Sequence, residues 1–452
     1  MRLPVLCLLL AACHPTDGKD DTAPVGDADP TDITAVVSPG MATVLVVTWT
    51  TATPTVGYVI YGEDDTYALQ TPVETTASTT HRALLLGMPG DTQVYFRAVT
   101  AEGDTLLVSE PLVAATDPIP NGFPTLTRTG TDDPIGGYVS LPLISSGATA
   151  ATFVDTQGRV VWYHLEDRPG YIVQRARPSV DGASVLYNAV WVQDLTPNGE
   201  IVRVSLDGTE TTTHPAPRNT HDFVELPDGT LCAIYTDIRE ADGADVYGDA
   251  ILEIAPDGTS RTIWSVFDSY DPVTEPSLDD SDSTWTHVNA LRYDAENDAL
   301  YVNIRNFSSL IKVDRQTGDV LWTLGGYHDD YTWGADTEKP YGQHGFQFVT
   351  PDTLLMFNNG GGAAAASHAM EFNIDQEAHT IDQTWSYHHD PELYIWAMGD
   401  VERRSDGGTR VTWSTAGTMQ QLDAEDNVEW ELSAAFGTIF GYTGWYAGLQ
   451  GE

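Results

Sequence analysis

The chain alternates between short apolar and polar runs that are separated by turns rich in Gly, Asp and Pro. Between about residues 33 and 117 the runs follow the two-residue period of β-strands, in which alternate side chains face a core. About seven such strands fit into this segment, which is typical of a β-sandwich. The clearest examples are residues 43–49, 57–62, 81–86 and 93–99.

The strand that ends at Trp49 and the strand at residues 95–99 resemble those of a fibronectin type III module. Residues 33–117 contain no group of side chains that suggests catalysis. We therefore expect this segment to be a spacer or docking module.

From about residue 120 to 452 a unit repeats: a strand closes on a turn that contains Asp and Gly, and the next strand ends in Trp. Trp162 to Trp264 spans 102 residues, or two units of about 51, and the later steps are 58, 63 and 45 residues. Four strands with their turns fit this length, which is the size of a propeller blade. The pattern predicts an all-β fold with a six-bladed β-propeller; a β-helix or two unrelated β-domains are the alternatives. The repeated tryptophans are Trp162, Trp264, Trp322, Trp385 and Trp430.

The N-terminus predicts export and lipidation. Arg2 precedes an apolar run at residues 3–10, and Leu-Ala-Ala-Cys at residues 10–13 resembles a bacterial lipobox. We expect residues 1–12 to be a lipoprotein signal peptide and Cys13 to carry the lipid, with an ordinary secretory signal as the alternative. The mature protein would be a periplasmic or outer-membrane lipoprotein that meets the membrane through its lipid anchor only. Residues 13–32 have little apolar content and predict a disordered acidic tether.

The charge balance excludes most anionic partners. Lys and Arg number 21 against 66 Asp and Glu, a formal charge of −45, so the global field repels nucleic acid and anionic membrane surfaces. A site for a small anion would need a local basic group. Arg305 is therefore more informative than an arginine usually is.

Three consecutive repeats begin their first predicted strand with a histidine: His221, His287 and His344. If the first strand of each blade is innermost, the three imidazoles converge on one mouth of the channel. Arg305, on the next strand of the His287 repeat, could lean towards the same place. Arg and His together can hold and transfer a tetrahedral anion. A structural hydrogen-bonding role for each histidine is the alternative.

The segments around these residues resemble the arylsulfotransferase family, over roughly residues 120 to 440. The resemblance rests on Trp-Thr-His-Val-Asn-Ala-Leu at 285–291 with Arg305 eighteen residues after His287, on residues 319–326, and on Gln-His-Gly at 343–345 followed by residues 356–360. Where the family pattern leads us to expect Asp, the last segment has Asn.

The resemblance implies transfer of a sulfuryl group from a phenolic sulfate ester to a phenolic acceptor, with no cofactor or nucleotide sulfate donor. It implies that His344 is the nucleophile, which forms a sulfohistidine, and that His221, His287 and Arg305 hold the sulfuryl oxygens. Residues expected at the substrate are Asn289, Trp285, Tyr341 and Phe346, with Trp396 as a further aromatic wall. The oligomeric state stays open.

Two other functions stay open: a surface-anchored binding propeller without turnover, and a related propeller enzyme such as an ester hydrolase or metal-dependent lyase. For a metal, the remaining candidates are residues 388–390, His-His-Asp, and 279–282, Asp-Asp-Ser-Asp. Their spacing favours solvated loops, so we expect no metal.

Overall fold

A computed structural model describes residues 27–131, 136–147, 149–279, 282–361 and 366–450. Within these residues the fold is all-β, with helical structure confined to the short 3₁₀ turns Val266–Asp268, Arg305–Phe307 and Ser414–Ala416. The signal peptide and Cys13 lie outside the described residues. In the described part of the chain, no helix has the length and apolar character needed to cross a membrane.

The N-terminal unit consists of two antiparallel sheets, one ordered β1-β2-β5 and the other β4-β3-β6-β7 with β8 also on β6. Their facing side chains form a core around Trp49, whose indole stacks on His81 at 4.8 Å. The two-residue strand β4 makes eight strands where the alternation predicts about seven. The strands are β1 (Thr31–Ser38), β2 (Met41–Thr55), β3 (Gly57–Gly62), β4 (Leu69–Gln70), β5 (Ser78–Leu85), β6 (Gln93–Glu102), β7 (Thr105–Val108) and β8 (Leu112–Ala115).

The expectation of a tether up to residue 32 is wrong for its last residues. Ala28 is buried, the amide of Thr53 donates to the carbonyl of Asp27, and β1 begins at Thr31. These backbone bonds hold residues 27–32 on the sandwich. The earlier part of the predicted tether lies outside the described residues.

The rest of the described chain forms six sheets. The strands are β9 (Leu126–Gly130), β10 (Tyr138–Ser140), β11 (Leu143–Ile144), β12 (Thr149–Asp155), β13 (Val160–Leu165), β14 (Tyr171–Pro178), β15 (Ser184–Trp191), β16 (Glu200–Ser205), β17 (Thr211–Pro215), β18 (Asn219–Glu225), β19 (Leu231–Ala241), β20 (Ala244–Ile254), β21 (Ser260–Ser265), β22 (Val288–Asp294), β23 (Ala299–Ile304), β24 (Ser309–Asp314), β25 (Val320–Leu324), β26 (Thr332–Trp333), β27 (Phe346–Thr350), β28 (Thr353–Asn358), β29 (His368–Asp375), β30 (Thr380–His388), β31 (Asp400–Arg403), β32 (Thr409–Trp413), β33 (Thr418–Leu422), β34 (Val428–Ala434), β35 (Ile439–Phe440) and β36 (Gly444–Tyr446).

Five of these sheets are meanders of consecutive antiparallel strands: β14–β17, β18–β21, β22–β25, β27–β30 and β31–β34. The sixth sheet joins both ends of the region. Its strands β10 and β11 pair with β12 on one side and with β36 and β35, respectively, on the other, and β13 pairs with β12. The early strand β9 likewise pairs with β34. The first and last strands of this region are therefore tied together by backbone hydrogen bonds.

The repeated tryptophans occupy equivalent positions, as the repeat predicts. Each lies on the fourth strand of its sheet, β13, β21, β25, β30 or β34, next to a β-bulge of that same strand. The extra bulge residue locally increases the strand twist. The sheet of β14–β17 has no tryptophan on its fourth strand.

The first strands of neighbouring sheets lie side by side: β14 contacts β18, β18 contacts β22, and β27 contacts β31. Two of them bulge, between Val173 and Ala176 in β14 and between Val288 and Ala290 in β22, and β18 has a register break between Asn219 and Phe223. Bulges re-aim side chains. The first strands thus direct polar residues towards a common centre.

Candidate active site

His221, His287 and His344 come together at the starts of β18, β22 and β27. One ring nitrogen from each lies within 4.8 Å of the others. The Nε2 atoms of His287 and His221 are 3.1 Å apart, and the ring centroid of His344 lies 6.2 and 6.4 Å from those of His287 and His221. Residues separated by more than fifty positions in sequence thus form one cluster.

Two of these three histidines have an unusual backbone conformation, which sets the direction of their rings. His221 and His287 have φ values of 46° and 53°, in the left-handed region that non-glycine residues rarely occupy. Asp249 helps to hold the His287 segment, since its carboxylate accepts from the Thr286 hydroxyl at 2.7 Å and from the Val288 amide at 2.8 Å. Burial raises the pKa of Asp249 to about 6. Such strain persists where surrounding contacts enforce it, often at functional sites.

The tautomer of His344 follows from its hydrogen bonds. Its Nδ1 lies 2.7 Å from Oδ1 of Asn359, whose Nδ2 donates to the carbonyls of Ile395 and Met398 at 2.8 and 2.7 Å. Because these two carbonyls can only accept, the Asn359 amide oxygen must face the histidine. His344 therefore carries its proton on Nδ1, and its Nε2 holds a lone pair.

Burial keeps two of the imidazoles neutral. It is the main cause that lowers the pKa of His344 well below its ordinary value, and the neighbouring His287, His221 and Arg305 lower it further. The pKa of His221 is lowered well below its ordinary value by burial first, and then by His287 and Arg305. A neutral imidazole with a free Nε2 is a competent nucleophile.

Arg305 supplies the cation of the cluster. Its Nη1 donates to Oδ1 of Asn306 at 2.6 Å and pairs with the carboxylates of Asp279 and Asp282 at 2.8 and 3.5 Å. On its other edge, a Cβ added to Gly342 would lie 3.9 Å from both Nε and Nη2. Nε and Nη2 make no hydrogen bond with the described residues, so this edge of the guanidinium keeps its donors for a ligand.

Asp282 and Asp279 contact the histidine and arginine cluster, so the expectation that they lie in a solvated loop is wrong. Asp282 accepts a hydrogen bond from Nδ1 of His287 and also contacts Arg305. The pair with His287 lowers the pKa of the Asp282 carboxyl, although burial opposes this. The sequence contains one signal for this contact, because Asp282 is a carboxylate five positions before His287. Asp280 and Ser281 lie outside the described residues.

The family model described as Arylsulfotransferase (ASST) matches residues 138–434, which is more than half of the chain and includes the three histidines and Arg305. The chain belongs to the arylsulfotransferase family. A comparison with curated proteins gave no match.

Among solved structures, this arylsulfotransferase family member is similar to virginiamycin B lyase from Staphylococcus aureus, solved as an inactive variant with quinupristin. The two chains are 14% identical with a TM-score of 0.38, over 68% of this chain and 87% of the other. A regucalcin from Agrobacterium tumefaciens is 13% identical with a TM-score of 0.31, over 60% and 81%. The Cps50 (Swd1) β-propeller domain of Myceliophteria thermophila is 10% identical with a TM-score of 0.32, over 59% and 86%.

Three residues expected at the substrate of this family member lie in its interior instead, which corrects the expectation. Trp285 packs against Phe267 and Phe307 and donates its indole N–H to the carbonyl of Glu275. Phe346 is fully buried, because the residue after Gly345 points away from the histidines into the sheet core. Both rings pack in the core and leave no surface for a phenol.

Asn289 is also internal. Its Nδ2 donates to the carbonyl of Gln343 at 2.9 Å and its Oδ1 accepts from Asn303 at 2.6 Å. It therefore supports the segment before His344 rather than facing substrate. Tyr341 and Trp396, by contrast, are 36% and 60% exposed.

The three imidazoles could also hold a metal ion. His287, with Nδ1 on Asp282 and Nε2 facing the other rings, has the carboxylate–histidine arrangement of metal ligands. Arg305 opposes this, because it places a fixed positive charge beside the cluster. The other sequence candidate, residues 388–390, lies elsewhere: His388 stacks on His368 at 4.4 Å.

Proposed function

We propose that this protein transfers a sulfuryl group from a phenolic sulfate ester to a phenol, through a sulfohistidine on His344. Family membership supports aryl sulfotransferase activity. The observation that carries the mechanism is the Asn359 contact, which leaves Nε2 of a buried, neutral His344 free beside the other two histidines.

In the first half-reaction, the Nε2 lone pair forms the N–S bond while the S–O bond to the donor phenol breaks, and the donor leaves as phenolate. In the second, the acceptor oxygen forms a new S–O bond, the N–S bond breaks, and its electron pair returns to Nε2. The acceptor proton passes to solvent or to phenolate. The result is a double displacement with ping-pong kinetics.

Hydrogen-bond donors to the sulfuryl oxygens contribute more to this transfer than a general base does. The reason is that its transition state is loose, as in phosphoryl transfer. Nε and Nη2 of Arg305 and the ring nitrogens of His221 and His287 are suited to this role. Asp282 would keep His287 and Arg305 in position from behind. Tyr341 and Trp396 would provide aromatic surface for phenols.

We further propose that the six sheets are the blades of a β-propeller, that the N-terminal unit is a fibronectin type III-like spacer, and that Cys13 is lipidated and anchors the protein to the outer membrane. The pairing of β10 with β36 and of β9 with β34, which joins the first and last strands of this region, supports the first point. Cys13→Ser should release soluble protein or leave an uncleaved precursor. Wild-type protein without lipid would contradict the lipid anchor.

The decisive experiment mixes the protein with an aryl sulfate whose phenolate is coloured, with and without a phenol acceptor. Donor alone should add the mass of one SO₃ group to a peptide that contains His344, and the phenol should remove it. His344→Ala should lose both adduct and turnover. Wild-type transfer by His344→Ala would disprove the role of His344, and a label on another histidine would reassign it.

A metal-dependent reaction at the same site is the second candidate, favoured by the three convergent imidazoles. It predicts that a chelator abolishes activity and that zinc or manganese restores it. Sulfuryl transfer through His344 instead predicts activity that a chelator leaves unchanged, and inhibition by zinc, which would occupy the same nitrogen atoms.

A further inference from the structure

A second cavity lies behind the histidine cluster, on the far side of a polar layer. Its volume is about 200 Å³. Tyr442 belongs to that layer: its ring centroid is 6.5 Å from that of His344, and on its other side Arg175 lies 4.6 Å from the ring. The cavity is therefore separate from the sulfuryl site. Its lining includes Arg175, Arg177, Arg292, Asp400, Trp445 and Tyr446.

The charges around this cavity do not cancel. The carboxylate of Asp222 accepts from Arg175, Arg177 and Arg292. Asp400 pairs with Arg175 at 3.2 Å and lies 3.8 Å from Arg292. Three guanidinium groups thus share two carboxylates and leave one positive charge in excess.

The other charged groups at the cavity do not remove this excess. Glu402 also lines the cavity and is paired with Arg410 at 3.5 Å, so four guanidinium groups stand against three carboxylates. Burial raises the pKa values of both Asp400 and Glu402, so any protonation would increase the positive excess. The whole chain has a formal charge of −45, so a cavity with excess positive charge is a local exception.

Unused hydrogen-bond donors line the same cavity. Nη2 of Arg177 donates to Asp222 at 2.9 Å, whereas its Nε and its less enclosed Nη1 make no hydrogen bond among the described residues. The hydroxyl of Tyr446 likewise makes no hydrogen bond within the described part of the chain, although the ring is near Arg177 and Arg175. An unpaired buried donor is costly, so a ligand that accepts from it binds favourably.

We infer that this cavity is a second anion-binding site, which takes a small oxyanion such as sulfate, phosphate or a short carboxylate between Arg177, Arg292 and Tyr446. The oxyanion neutralises the excess charge and accepts from the unused donors. Planar guanidinium groups match oxyanion geometry. The site goes beyond the proposed transfer reaction and does not depend on it.

The test is isothermal titration of sodium sulfate, phosphate and acetate in separate arms. The protein carries Arg305→Gln, so that the sulfuryl site does not contribute. At least one anion should bind with a stoichiometry of one. Adding Arg177→Gln should weaken binding about tenfold or more, because a charge-assisted hydrogen bond is lost. Tyr446→Phe, which removes only a hydroxyl, should weaken it by a smaller factor.

Arg261→Gln is the matched control, since it makes the same change at an exposed arginine on β21. It should leave the affinity unchanged. Absence of binding in the Arg305→Gln protein, or equal affinity in the Arg177→Gln and Arg261→Gln variants, would overturn the inference. Should Arg177→Gln fail to fold, an unchanged affinity in Tyr446→Phe would overturn it equally.

Discussion

The Nδ1 atom of His344 lies 2.7 Å from Oδ1 of Asn359. The same amide donates its two N–H groups to the carbonyls of Ile395 and Met398. All the polar atoms of this side chain are therefore used, and together they set which nitrogen of the histidine carries the proton.

Asn359→Asp should lower both stability and transfer. The carboxylate would face two carbonyl oxygens without donors for them, at a cost of about 1–3 kcal/mol in the free energy of unfolding. Urea unfolding and donor turnover measure the two effects. Asn198→Asp is the control, because its amide is exposed in a turn. A variant Asn359→Asp of wild-type stability and rate would contradict the hydrogen-bond assignment.

Asp282→Asn should reduce kcat/KM for the donor by about ten- to a hundredfold. The change weakens a charge-assisted hydrogen bond to His287, and such bonds contribute about 1.5–3 kcal/mol. The histidine should remain labelled, because Asp282 only positions its neighbours. Asp268→Asn, at an exposed carboxylate paired with Arg239, should have no effect. Equal rates for the two variants would remove Asp282 from the site.

Arg305→Lys should still form the sulfohistidine, but more slowly. Lysine preserves the charge and loses the flat pair of donors that fits two sulfuryl oxygens. One or two lost bonds correspond to about one to two decades in rate. Rapid-quench measurement of the adduct tests this. Complete loss of the adduct would indicate that Arg305 is essential for donor binding.

Transfer should not decline as the pH falls through 6.5. The pKa of His344 lies well below its ordinary value, so its Nε2 lone pair persists in mild acid. A nucleophile of ordinary pKa would lose about half of its reactivity near pH 6.5. The measurement is kcat/KM for the donor over this range. A one-proton decline centred near 6.5 would contradict the assignment.

Trp162→Ala and Trp396→Ala should separate stability from substrate binding. Trp162 is fully buried at its repeat position, so its loss should cost about 3–5 kcal/mol of unfolding free energy. Trp396 is 60% exposed, and its loss should change stability by no more than about 0.5 kcal/mol. It should instead raise the KM for phenol acceptors. An unchanged KM would place the acceptor elsewhere.

Much of the site could be predicted from periodicity. In five of the six sheets a tryptophan lies beside the bulge of the fourth strand, and the sequence spacing alone predicts this recurrence. The three histidines recur at the same place in their repeats, the start of the first strand, because the first strands of the sheets meet at a common centre. Residues that recur at the same place in successive repeats are therefore predicted to lie close together in the folded protein.

The partners of these residues could not be predicted in the same way. Asp282 belongs to a polar stretch that resembles a solvated loop, and only the chain path brings it onto His287 and Arg305. Trp285 and Phe346 carry the right chemistry for a phenol site, but their direction depends on the backbone at each strand start. One residue of register decides whether a side chain faces the channel or the core.

The sequence by itself determined the strand repeats, the phase of His221, His287 and His344, and the proximity of Arg305, since these depend on local alternation and spacing. Tertiary structure decided the tautomer of His344, the carboxylates behind His287 and Arg305, and the second cluster of arginines around Asp222. The physical reason is that hydrogen bonds and charge pairs depend on distances between side chains from different sheets. Such distances are fixed only when the sheets have packed against one another.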